Sequence, residues 1–147
     1  MTEVTLAKAA QIVDAALEHA STLGLNPLTV AVLDPGGHLL VLKRQDGASI
    51  LRPQIAIGKA WGTLGMGLGG RALAKRCEIA PAFYTALVGA SDGRVIPVPG
   101  GVLIRSDAGR IIGAVGISGD MPDKDEACAA FGIEQAGFTA DVGADHH

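Results

Sequence analysis

Aromatic residues are scarce in this chain: three Phe, one Tyr and one Trp among 147 residues. A protein that stacks bases needs a platform of such rings, so nucleic acid is not expected as a partner. Charge agrees, because twelve Lys and Arg stand against fifteen Asp and Glu and no basic stripe is visible. The two cysteines, Cys77 and Cys128, are too few and too far apart for a disulfide framework or a zinc site, and they read as buried thiols. No metal site is read elsewhere. No apolar run reaches the roughly 18 residues that would cross a bilayer, and the N-terminus has no basic stretch leading into an apolar one. A cytoplasmic protein that does not enter the membrane is expected, although removal of a secretion signal would leave the same sequence.

Hydrophobic residues, by contrast, make up 48% of the chain, ample for one core. No linker interrupts it, so residues 1–147 read as a single domain, with about 140–147 as a frayed tail or tag remnant. The segment from Val30 to Asp46 carries most of the local information. Two apolar runs flank Asp34-Pro35-Gly36-Gly37, where proline presets φ and glycine accepts positive φ, so a β-hairpin turn is expected there. His38 follows the turn, and Arg44 and Asp46 close the second strand. A second pair of apolar runs brackets Asp107-Ala108-Gly109 and predicts a second hairpin. Gly113, Gly116 and Gly119 fall in or just past its last strand, where glycine marks a bulge or a close backbone approach.

Helical spacing covers the rest. Leu6, Ala9, Ala10, Val13, Ala16, Leu17 and Ala20 share one face, with Thr5 as N-cap and Gly24 as C-cap. Residues 50–68 predict a buried helix whose Ala56, Gly58, Ala60, Gly62 and Gly65 favour close contact, with Lys59 at its middle. Pro81 suits the first position of another helix, to Val88. Residues 120–137 predict the last, with Ala127, Ala130, Phe131 and Ile133 inward. The order α-β-β-α-α-β-β-α implies an α+β fold built on antiparallel hairpins.

These segments together resemble the GlcG/HbpS family of haem-binding or haem-degrading domains, which also supplies the C-terminal domain of PduO-type proteins. The matching residues are Val30 to Asp34 with Gly37-His38, Arg44-x-Asp46-Gly-Ala48, Lys59-Ala60, Pro99 to Val102, and Gly113 to Gly119. The resemblance implies a profilin-like three-layer arrangement, a central antiparallel sheet of about five strands flanked by helices, and assembly from dimers up to octamers. The chain departs from the family after Lys59-Ala60, where Trp61-Gly62-Thr63 replaces the usual Thr-Ala, and after Ser118-Gly119, where Asp120 stands.

Two functional readings follow, from different classes. In the first, which rests on the resemblance, the protein is a haem carrier, sensor or sequestering module, with His19 or His38 as candidate iron ligand and Arg44 on a propionate. In the second it is a cofactor-independent enzyme acting on a small anionic metabolite, of tautomerase, hydratase or dehalogenase type. There Arg44 and Asp34 help bind the acid, and His38, Lys59 or Asp46 moves a proton. Backbone N–H groups of Gly100 and Gly101 receive the developing charge. Both readings expect Asp34, His38, Arg44, Asp46 and Lys59 to converge in one cleft near Gly100-Gly101. A bare oligomeric scaffold is the third reading.

Overall fold

In a computed structural model that describes residues 3–144, the first helix begins and ends where its capping chemistry dictates. Helix α1 (Leu6–Leu23) opens on Thr5, whose hydroxyl accepts the Lys8 N–H at 3.1 Å, and stops at Gly24 in the left-handed conformation. Its buried face, Ala9, Ile12, Val13, Ala16 and Ala20, lies against the sheet and α5 (Pro122–Gln135). Strands β1 (Thr29–Leu33) and β2 (Leu39–Arg44) form the first hairpin, and β3 (Gly101–Arg105) and β4 (Ile111–Ser118) the second. The two expected turns close with Gly37 N–H on the Asp34 carbonyl and Gly109 N–H on the Ser106 carbonyl, both at 2.9 Å.

All pairings are antiparallel and the strand order is β2-β1-β4-β3-β5. Alternation along the strands divides the interior in two. Val30, Val32, Val102, Ile104, Val115 and Ile117 point into the layer shared by α1 and α5. Leu33, Leu103 and Ala114 face Ala60 on the opposite side, where α2 (Arg52–Met66) lies. The result is the expected α+β arrangement, a five-stranded antiparallel sheet between helical layers.

Glycine explains how deeply α2 sits. Gly101 and Gly116 are register partners on neighbouring strands. A β-carbon on Gly116 would run into the Ala56 carbonyl, and one on Gly101 into the Lys59 carbonyl. The strand glycines are therefore sites of close backbone approach.

Five expectations need correction. An unforeseen helix, α3 (Gly70–Ile79), precedes α4 (Pro81–Ala90), because Gly69 and Gly70 are tight contacts rather than breakers: a β-carbon on Gly70 would crowd the Val98 carbonyl at 2.7 Å. Residues 140 and 141 are not frayed. They belong to β5 (Thr139–Asp141), paired with β3, and Asp141 accepts the Arg105 Nε–H at 2.8 Å. Of the inward stripe expected on the last helix only Ile133 is buried; Ala127 is exposed, and Ala130 and Phe131 are half-buried. Asp125, Cys128, Ala129 and Gly132 take the inward places. The helix also ends at Gln135, two residues early. Burial pushes the Cys128 thiol up to about 11, so it is an inert buried thiol, whereas Cys77 is only half-buried. The rest of the expected tail, 145–147, lies outside the described residues. Among those described, no helix is long and apolar enough to cross a membrane.

Candidate functional site

A hairpin has its turn at one end and its open end at the other, and this separates the expected site residues. Asp34 and His38 lie at the β1–β2 turn. Arg44, opposite Thr29, lies at the far end of β2, and six residues at ~3.3 Å each put it roughly 20 Å from His38. Gly101 is at the same end of the sheet as Arg44 but three strands over, about 14 Å away at the usual spacing. The five side chains therefore do not share one cleft, which removes the geometric basis for the small-acid enzyme as expected.

Each group has local work instead. The Asp34 carboxylate accepts N–H bonds from Gly36 (2.9 Å) and His38 (3.0 Å) and meets His38 Nδ1 at 3.2 Å. Burial pushes Asp34 up, but these bonds and the imidazole outweigh it and hold the carboxyl below its ordinary value. His38 is 81% exposed, a turn histidine bonded to its aspartate. Arg44 donates to the Ala48 carbonyl at 2.8 Å rather than pairing with Asp46. Arg44 and Asp46 border a shallow 510 Å³ depression with Leu17, Leu25, Pro27 and Lys43.

Lys59 is the most committed of the set. It is only 4% exposed, and its ammonium donates to the Ile117 carbonyl (2.9 Å) and to Asp125 (3.3 Å), which is fully buried. The other Asp125 oxygen accepts the Asp120 N–H at 3.0 Å. Burial lowers Lys59 and raises Asp125 from their ordinary values, and each charge partly restores the other. The side chain reaches from α2 past the start of β3 to α5 because Gly100 leaves room: a β-carbon there would sit 2.8 Å from Nζ. Gly100 and Gly101 thus admit a lysine and a helix backbone, which accounts for both glycines without an anion. Sequence reasoning missed Asp125. A lysine in an apolar helix demands a carboxylate partner, but fifteen acidic residues were candidates.

His19 stands apart from all of these. It is half-buried on α1, its ring stacked on Phe131 of α5 at 4.1 Å with 9° between planes. Its ring nitrogens have no hydrogen-bond partner among the described residues. Leu23, one turn further along α1, is 51% exposed, and Ala127, one turn before Phe131, is exposed too. By helical spacing these form a small apolar strip beside the imidazole. A neutral imidazole nitrogen is a common donor to haem iron, and an apolar flank suits the macrocycle.

Comparison with known proteins bears on what such a surface serves. The family model described as haem degrading protein HbpS-like matches residues 4–134. An uncharacterized 15.0 kDa protein from the dhaT-dhaS intergenic region of Citrobacter freundii is 27% identical over 132 residues, covering 89% of this chain and 90% of the relative. The crystal structure of a PduOC:heme complex superposes with a TM-score of 0.83 at 27% identity, covering 93% of this chain and 97% of that one. A double mutant of HbpS from Streptomyces reticuli gives 0.79 at 29% identity, with 93% and 89% covered.

Proposed function

This chain belongs to the HbpS-like family of haem degrading proteins, and on that premise we propose that it binds haem with His19 as the axial ligand, as a carrier or sequestering module. The observation that carries the reading is the His19–Phe131 stack: an imidazole without a hydrogen-bond partner among the described residues, held in one plane at a half-exposed helix face. Bound haem supplies an iron that takes an imidazole nitrogen. The protein's part is to fix the orientation of that ring, to offer Leu23, Ala127 and Phe131 to the apolar macrocycle, and to present Lys124, one turn before Ala127, to a propionate. A ligand held at a surface-facing strip exchanges more readily than one enclosed in a core, which suits carrying. His38 is a weaker candidate, because it is bonded to Asp34 and stands on an exposed turn.

Titration of the purified protein with haemin tests this. A saturable Soret shift is expected for the native chain and for His38→Ala, with binding weakened at least tenfold by His19→Ala. Native-like haemin binding by His19→Ala would overturn the assignment of the ligand, and absence of any saturable shift would overturn haem binding itself.

A further inference from the structure

We infer that the groove between α2 and the C-terminal end of α4 is a binding site for a small carboxylate whose apolar body is about the size of one ring. The groove encloses about 230 Å³, lined by Trp61, Gly65, Met66, Leu87, Arg94 and Val95 among others. That is below the roughly 300 Å³ at which pockets for drug-sized ligands begin, so it suits a small acid and not a macrocycle.

The cationic wall is built with care. Helix α4 ends in two successive left-handed residues, Asp92 (φ +56°) and Gly93 (φ +76°), and Asp92 is the only non-glycine residue with positive φ among those described. Aspartate is among the few residues besides glycine that adopt this conformation readily. Here it turns the chain so that both the N–H (3.2 Å) and the Nε–H (2.8 Å) of Arg94 donate to the Ser91 carbonyl. The guanidinium is thereby laid over Trp61, its carbon 4.2 Å from the ring centroid. Both terminal nitrogens remain without a hydrogen-bond or ion-pair partner among the described residues. They present the planar fork that grips a carboxylate through two parallel bonds.

Trp61 is held as firmly. The Gly37 turn closes on its indole nitrogen edge, where a β-carbon would stand 2.8 Å away. Its opposite edge lies by Gly65, where a β-carbon would find only ordinary contact at 3.6 Å and the groove stays open. Met66, Leu87 and Val95 supply apolar walls. A closed cation–π pair that merely anchors the loop would not need this unfilled space beside it. The inference does not rest on the haem reading, since α2 covers one face of the sheet and His19 belongs to the layer on the other.

Trp61 is the only tryptophan of the chain, so its fluorescence reports the groove directly. Titration with sodium benzoate, at ionic strength matched with chloride, is expected to give a saturable change, and benzamide, the neutral isostere, none. Arg94→Gln should weaken benzoate binding at least tenfold, given the strength of charge-assisted hydrogen bonds. Gly65→Leu, which fills the groove and leaves the arginine intact, should abolish it. Calorimetry on both variants gives a readout independent of changes in the tryptophan's own emission, and circular dichroism confirms that they are folded. No saturable response to benzoate up to roughly 10 mM, about ten times a weak dissociation constant of ~1 mM, would overturn the proposal. So would an equal response to benzamide, or unchanged binding in Arg94→Gln.

Discussion

Lys59 shows how a residue's surroundings convert a catalytic candidate into a structural one. Its charge is buried with that of Asp125, and neither has solvent to fall back on. Breaking such a pair from one side leaves an uncompensated buried charge. Lys59→Met is therefore expected to cost about 3–5 kcal/mol in denaturant unfolding, while Lys59→Met combined with Asp125→Leu recovers most of the loss. A single substitution that costs under 1 kcal/mol would show that the pair is not closed in solution. Asp120 makes a different prediction. Its carboxylate accepts the N–H groups of Asn26 (2.9 Å) and Met121 (2.8 Å), which hold it below the ordinary 3.8. The unfolded state then takes up this proton first, so the stabilisation is complete above about pH 5 and is lost as pH falls through the lowered folded value. Asp120→Asn should flatten that part of the acid limb of a stability profile, and an unchanged limb would count against it.

At the scale of elements, α2 is placed by what its neighbours lack. Gly116→Ala would drive a methyl group into the Ala56 carbonyl, backbone against backbone with no flexible side chain to yield. A loss of about 3 kcal/mol in thermal or denaturant unfolding is expected. Gly65, in the same helix, is the contrast: its nearest neighbour would be Trp61 at 3.6 Å, and Gly65→Ala should stabilise by roughly 0.5–1 kcal/mol through helix propensity alone. If both changes shift stability the same way, this account of the helix is wrong. The glycine spacing in β4 announced a close approach, but which carbonyl approaches which strand is a property of the assembled layers.

At the scale of the whole molecule, much of the small-residue stretch 56–70 lies buried against the sheet and leaves little surface there for a partner. Two of the exposed large apolar side chains, Ile79 (74% exposed) and Phe83 (55%), border a 540 Å³ groove with Met66 and Tyr84. Surfaces of this kind are commonly covered by a neighbour. Sedimentation is expected to report a multiple of 14.9 kDa, and Phe83→Asp to lower that mass without lowering the stability of the fold. A monomeric mass for the native chain at micromolar concentration would refute the expectation.

Local chemistry is what the sequence determined. Thr5 and Gly24 bound the first helix, the Asp34–Gly37 and Asp107–Gly109 turns make the hairpins, and continuous apolar runs build the strands, because each depends on residues only a few positions apart. The motif residues led to the family for the same reason, since motifs are contiguous. The roughly 20 Å between His38 and Arg44 was legible, because a hairpin puts its turn and its open end apart, whereas the order of the strands across the sheet was not. The partnership of Lys59 with Asp125, 66 positions along the chain, was not legible, nor was the stacking of His19 on Phe131 or of Arg94 on Trp61. Those contacts exist only once the helical layers close over the two faces of the sheet, and burial then decides which charges must find each other.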